Sequence, residues 1–409
     1  MDRWLESLAA LARWNYQRAS GWVVLIAVLL LFPSPLTGLG FVGTVVLFAC
    51  RWVAHGSPFP QSRATLPIFL LLVMTAIGFA VSPARDLSIV TAAQVTASVI
   101  IFLVVFDHIQ SSADLWRAAA VLVLLGILFA FVAPFTANWS PNKFFGVPVF
   151  YDSIWPRLPK VTNSNILAGA LAPIVPISLA LVFQRERHWR ALGAVSLAPL
   201  SIILILLQSR GALFALGLGL AIWITLYWRW ALPLIPLGLI AVLLINNMQG
   251  GLPPAQLIYG TPGTVTGGTL FERQDMWAQA IYLIRQSPWV GIGLNAYSVI
   301  GPYTFPNSLD HPGAVFPHVH NLFLQVALDT GVIGLAAFVV LIALAVRTVW
   351  QAYRASIEKP LAIGLLSAFA VVLAHGLGDV VVWGTSKASI ILWILLAMAF
   401  TFDKAKKTM

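Results

Sequence analysis

Charge is what this sequence has least of. Charged residues occupy 9% of its 409 positions, against about a quarter of a soluble globular domain, which excludes a fold surrounded by water. Cysteine is nearly absent as well: the single one, Cys50, lies in an apolar run and rules out an internal disulfide. Acidic residues number 14 against 24 basic ones. Few of the acids fall between apolar runs on the face that carries the longest loops, and no Asp-x-Asp pair stands there to hold a divalent ion on a diphosphate. No Glu-x-x-His or cysteine accompanies the histidines, which removes the usual framework of a zinc site. No small-residue cleavage site precedes the first apolar run, so no removable signal peptide is expected. Internal repeats and low-complexity tracts are not evident.

What is abundant is apolar sequence. Hydrophobic residues reach 59%, the mean hydropathy is +0.89, and the runs are continuous where a membrane barrel would alternate. The expected fold is therefore an all-α integral membrane protein with about 12 transmembrane helices. The runs lie near 20–37, 38–53, 65–81, 88–106, 118–134, 165–183, 191–208, 211–227, 231–247, 320–346, 361–383 and 386–402. Each is close to the roughly 20 residues that a spanning helix needs. Sixteen of the 24 lysines and arginines gather on the side that holds both termini. The positive-inside rule makes that side cytoplasmic, so the net charge of +10 sets topology and gives no sign of nucleic-acid binding.

The chain divides at its one long interruption. Residues 1–247 carry nine spans, 248–319 form a large periplasmic loop, and 320–409 carry three spans and a cytoplasmic tail. Within the loop, Thr269-Leu-Phe-Glu272 has the form of a capping box, which predicts a short amphipathic helix near 270–286 stopped by Pro288.

The candidate chemistry sits on this outer side, where positive charge works against the orientation signal. Arg210, in Gln208-Ser-Arg-Gly211, lies between two apolar runs with almost no loop to solvate it: a snorkelling side chain, or an anion ligand at the mouth of the bundle. Arg273 falls in the first turn of the loop helix and opposes its dipole. Arg157 and Lys160 fit lipid-headgroup contacts or substrate contacts. His311, His318 and His320 are clustered. His320 stands at the start of a span, where the helix N-terminus and nearby arginines disfavour protonation, and a neutral imidazole is what a general base needs. An interface anchor is the competing reading. His375 and Asp379, four apart in the eleventh run, are predicted to share a helix face. An ionisable residue inside a span is a functional suspect, and Asp379 could orient His320 or pair with Arg210. Asp329 reads equally well as a packed structural partner. With metal sites unsupported, an anion would be gripped by arginine, which binds phosphate oxygens bidentately.

These segments resemble a known family. Arg273 and Trp277 on the loop helix, Ser287-Pro-Trp-Val-Gly-Ile-Gly-Leu294, His320-Asn-Leu-Phe-Leu-Gln325 and Asp329-Thr-Gly-Val-Ile-Gly334 follow one another as in the O-antigen ligase and polymerase family. Gln208-Ser-Arg-Gly-Ala212 and Asn163-Ser-Asn165 are similar to its motifs too, over roughly 160–385. Where glutamate is common in the family, this chain has Asp329. The resemblance implies a metal-independent, inverting glycosyltransferase of the bacterial inner membrane, both termini cytoplasmic and the active site at the periplasmic face. Its substrates would be an undecaprenyl-diphosphate-linked glycan and lipid A-core, with membrane lipids around it, and no cofactor is implied. His320, Arg210 and Arg273 would be catalytic, with Arg157, Lys160, Asp379 and Asn321 contacting substrate. A polymerase of the same family, a lipid-linked glycan transporter and a non-catalytic scaffold are the rival readings.

Overall fold

A computed structural model describes residues 10–14, 16–17, 19–32, 35–138, 162–228, 230, 233, 236, 270–305, 316–384 and 387–408, which form a bundle of α-helices. In lipid every backbone N–H and C=O must find a partner within the chain, and a helix is the one way a single continuous run achieves this. The elements are α1 (Ala19–Leu31), α2 (Thr37–His55), α3 (Thr65–Val81), α4 (Arg85–His108), α5 (Ser112–Thr136), α6 (Ser164–Leu171), α7 (Ile174–Val182), α8 (Arg187–Leu206) and α9 (Arg210–Tyr227). After these come α10 (Leu270–Gln286), α11 (Tyr297–Thr304), α12 (Leu322–Arg354), α13 (Lys359–Gly376) and α14 (Ser389–Thr408). Two two-residue strands, β1 (Ala137–Asn138) and β2 (Thr162–Asn163), pair in parallel and bring residues 138 and 162 together.

Eight of the described helices are long and apolar enough to cross a membrane, counting α6 and α7 as one, and α1 and α3 are shorter apolar helices. The ninth expected span, 231–247, lies outside the described residues, apart from isolated positions. Large apolar side chains stay exposed along the outside of the bundle, among them Leu39, Val42 and Val45 of α2, Phe131 of α5, Val195 of α8 and Phe214 of α9. Such a surface would aggregate in water and is at ease against acyl chains. The all-α membrane fold expected from composition is what forms. Inside, α14 packs on α4, and α13 is enclosed by α7, α9 and α12.

Three expected spans are interrupted, and each interruption shapes the site. The sixth divides at Pro173, between α6 and α7, because proline has no N–H for the helical ladder. The tenth becomes the 33-residue α12, broken at Gly331, whose φ of 69° and ψ of −179° are not helical. At this break the Pro288–Leu294 segment wedges in: Val332 N donates to Pro288 O at 2.8 Å and Ile292 N donates to Leu328 O at 2.8 Å. The eleventh ends at Gly376, so that His375 and Asp379, expected on one helix face, stand on either side of the helix end, one turn apart. Asp379 stands beyond the helix, in a turn where Gly378 N and Asp379 N each donate to His375 O at 3.0 Å. Two glycines in four positions make that stop cheap.

Gly331 is fixed by conformation and by space: a β-carbon there would meet Trp289 O at 2.1 Å. Gly331→Ala is expected to lower stability by about 3 kcal/mol or more, from backbone strain and overpacking together. Gly217, with nothing within 4 Å of its β-position, is the control that should tolerate alanine. Thermal unfolding of the two variants in detergent checks this; equal midpoints would show that the break does not need glycine.

The bundle end opposite the loop helix is closed by a buried ion pair. Arg51, 1% exposed, donates from Nε to Asp107 Oδ2 at 2.7 Å, and Tyr16 donates its hydroxyl to the same oxygen at 2.7 Å. Both partners and the extra hydrogen bonds of Arg51 to Ser57 O and Pro58 O satisfy the charges, as burial requires.

Candidate active site

The other end of the bundle gathers histidine, aspartate and arginine from four separate stretches. Its pivot is the entry to α12. Asn321 caps that helix, its Oδ1 accepting from Phe323 N at 3.0 Å and Leu324 N at 3.1 Å, while its Nδ2 donates to Leu377 O at 3.2 Å. Such a cap contributes about 1 kcal/mol, and here it also ties the start of α12 to the turn after α13. Val319 N donates to Gln325 Oε1 at 3.2 Å. Held on both sides, His320 takes a left-handed backbone with φ 48°, costing about 1–3 kcal/mol in a non-glycine residue and found where function demands a fixed direction.

That conformation aims two imidazoles at one carboxylate. His320 Nδ1 lies 3.1 Å and His318 Nε2 3.2 Å from Asp379 Oδ1, and Val380 N donates to the same oxygen at 2.8 Å. Of the two partners the sequence left open for Asp379, the geometry brings His320. With Nδ1–H donated, the lone pair of His320 is on Nε2, the arrangement a proton acceptor needs. Burial pushes the His320 pKa below its usual value despite the opposing pull of Asp379. For Asp379, burial alone would raise the pKa, but hydrogen bonds from His318 and His320 outweigh it and hold the carboxyl well below its usual range.

Asp379 supplies what the sequence lacked when it argued against a metal. His318, His320 and Asp379 present three ligand-type atoms within 4.8 Å of one another. Both nitrogens stand 3.1–3.2 Å from one oxygen, a separation that N–H donation accounts for and that ligands about 2.0–2.2 Å from a shared ion would also show.

The arginines approach from two helix N-termini. Ser209 caps α9, accepting from Ala212 N at 3.5 Å, and so places Arg210 at its first position. Gln208, two residues earlier, is left-handed with φ 50°. The carrier of Arg273 is α10, whose Met276, Ala280 and Leu283 pack with Val319 and Leu328, and the Arg273 Nη1 comes 3.2 Å from where a β-carbon on Gly378 would stand. Arg210 and Arg273 lie within electrostatic reach of each other, and Arg273 also acts on His320 and His375. Arg273 Nε and Trp277 Nε1 are buried with no hydrogen-bond partner among the described residues. Two donors unpartnered among the described residues, four positions apart on one helix, are costly in isolation and offer a place for an acceptor. Arg157, Lys160 and His311 lie outside the described residues.

One feature decides a reading the sequence left open, and another has no trace in it. Asp329 is an interior hub, 1% exposed, receiving Gln325 Nε2 at 2.9 Å, Asn295 N at 3.0 Å and Trp383 Nε1 at 2.9 Å. It binds the wedge segment, α12 and the turn after α13 into one body, which favours the packed structural partner of its two readings. The second is a cavity of about 520 Å³ beside His318, whose wall includes Asn163, Ser298, Gln325, Trp383 and Lys387. Of these, Lys387 belongs to no sequence motif, and only its place in this wall singles it out.

Comparison with known proteins agrees with the motifs. Residues 194–339, which hold Arg210, Arg273, His318 and His320, match the family described as O-Antigen ligase. The chain is also 25% identical over 281 residues to the exopolysaccharide production protein ExoQ of Rhizobium meliloti (strain 1021), an alignment covering 66% of this chain and 61% of that protein. The chain thus spans under two thirds of the length of that curated relative. The resemblance to the O-antigen ligase family read from the motifs is borne out over the segment that carries both arginines and both histidines of this site.

Proposed function

We propose that the protein is an O-antigen ligase type glycosyltransferase, moving a glycan from undecaprenyl diphosphate to a sugar hydroxyl of lipid A-core at the periplasmic face of the bacterial inner membrane. The observation that carries this reading is the joining of an electropositive, partly orphaned donor set to a carboxylate-oriented imidazole. Arg273, with its unpartnered Nε, and Arg210 at the N-terminus of α9 bind the diphosphate and stabilise the charge that grows on it as the glycosidic C–O bond breaks. His320 accepts the proton of the attacking hydroxyl at Nε2. Asp379 holds the ring in that tautomer and stabilises the imidazolium that results. The hydroxyl oxygen forms the new bond as the diphosphate leaves, and a single displacement inverts the anomeric centre. A single displacement leaves Asp379 to orient the imidazole, its Oδ1 already receiving two histidines and a backbone amide.

In this reading the arginines do the work of a metal, and activity persists in chelator. The remaining expected substrate contacts, Arg157 and Lys160, belong to the same proposal, as do twelve spans, cytoplasmic termini and the 248–319 loop as a periplasmic unit. The similarity to a protein of exopolysaccharide production favours one second reading, a polymerase that extends a lipid-linked glycan. Purified protein in EDTA, given undecaprenyl-diphosphate glycan and lipid A-core, should yield glycan on lipid A-core. A longer glycan still on undecaprenyl diphosphate would establish the polymerase, and activity restored only by added zinc would overturn the metal-free mechanism and point to His318, His320 and Asp379 as ligands.

A further inference from the structure

The cavity beside His318 is separate from the arginine site. Neither arginine lines it, nor does His320, yet His318 does, and His318 shares the Asp379 carboxylate with His320. The His318–Asp379–His320 arrangement is thus a partition one imidazole wide, the ring centroids of His318 and His320 lying 4.4 Å apart, and a hydroxyl that enters from the cavity side passes His318 to reach His320. At about 520 Å³ the cavity falls within the roughly 300–1,000 Å³ of small-molecule sites. One part of its wall is apolar, with Leu31, Leu87, Phe129 and Ile166. Beside Trp383 and Val380, another part presents amides and hydroxyls from Asn163, Asn295, Gln325, Thr162 and Ser298, a mixture suited to a sugar's hydroxyls and its C–H faces.

One group in that wall is out of place for a neutral sugar. The Lys387 ammonium donates to Phe32 O at 3.0 Å and Thr37 Oγ1 at 3.0 Å, both neutral acceptors. No carboxylate among the described residues pairs with it, and partial burial lowers its pKa. An ammonium has three N–H donors, so one remains for a guest. Phe32 O closes the C-terminal end of α1, whose dipole anchors the ammonium, and the remaining N–H gives the wall a positive charge for an anionic group.

We propose that this cavity is the acceptor subsite, taking a sugar that carries an anionic substituent, a phosphate monoester or a carboxylate, with Lys387 as its counter-ion and the attacking hydroxyl turned toward the imidazole pair. The proposal rests on the glycosyl-transfer reading for the word acceptor; the subsite itself is tested by binding alone.

The test uses the full-length protein in zwitterionic detergent with EDTA, titrated with a disaccharide bearing one phosphate monoester, with its dephosphorylated twin and with glycerol 3-phosphate. The phosphorylated disaccharide should bind about tenfold more tightly than either of the others. Lys387→Gln should remove that advantage and Lys387→Arg should keep most of it. Because Lys387 also holds Phe32 and Thr37, Ser298→Phe provides a second variant that fills the cavity and leaves those bonds in place; it should abolish binding of both disaccharides. Arg273→Gln should change none of these affinities. Equal binding of the two disaccharides, or no response to Lys387→Gln, overturns the proposal. Glycerol 3-phosphate binding as tightly as the phosphorylated disaccharide would make the cavity a lipid-headgroup site, and loss of binding in Arg273→Gln would place the probe among the arginines. Failure of the transfer assay with the binding pattern intact would remove the enzyme reading and leave the subsite standing.

Discussion

His320→Ala is expected to lower kcat by about 10²- to 10⁴-fold, the usual contribution of a positioned general base, with little change in donor affinity. The pH profile separates this role from a structural one. A base works when unprotonated, so activity falls as pH drops through its pKa. Burial sets that pKa below the ordinary histidine value, and the acidic limb should therefore lie below about pH 6.5. Asp379 is the group that raises it. Asp379→Asn should accordingly slow the reaction and move the acidic limb to still lower pH, a combination that loss of folding does not produce. Rates across pH 4.5–8 for the wild type and the two variants decide the matter. An unshifted limb in Asp379→Asn, or full activity in His320→Ala, would refute the assignment.

Arg273→Gln should cost about 10²- to 10³-fold in kcat/KM, as expected for a donor aimed at charge that develops in the transition state. Lysine should rescue it only in part. The unpartnered donor is the guanidinium Nε–H, and an ammonium at the end of a shorter, more flexible stem does not reproduce its position. Trp277→Phe keeps an aromatic ring, though a smaller one, and removes the second unpartnered donor, for a loss of about 1 kcal/mol in transition-state binding. Arg210→Gln, made alone and with Arg273→Gln, should give non-additive losses, because the two charges lie close enough to act on one another and on one anion. Additive effects would mean that the arginines serve separate ligands.

Legibility in the sequence followed the range of the interactions involved. Hydropathy is local and summed over many residues, so the membrane class, the helix over 270–286 and most helix positions could be read directly. Arg210 at a helix start was legible because two apolar runs meet there with no room for a loop. The breaks were harder. Gly331 lies within an apolar run and behaves as a helix residue until the Pro288–Leu294 segment, some forty positions earlier, inserts beside it. For Asp379 the spacing from His375 gave the neighbourhood but not the partner: one last i→i−4 bond carries the turn past Gly376, where α13 ends, and the carboxylate is taken by His318 and His320. The metal argument from spacing failed to reach Asp379 for the same reason, since a third ligand 59 positions from His320 leaves no local trace.

The sequence by itself determined the solvent in which this protein lives, the kind of element it builds and the residue types available for chemistry, because burial of apolar side chains and backbone self-satisfaction follow from composition and run length. Which of those residues meet was decided only by tertiary structure. The His318–Asp379–His320 partition, the approach of Arg273 to the Gly378 turn and the lysine in the cavity wall each join segments whose register depends on packing between helices. Packing energy is shared among many contacts, and no single residue carries its signature.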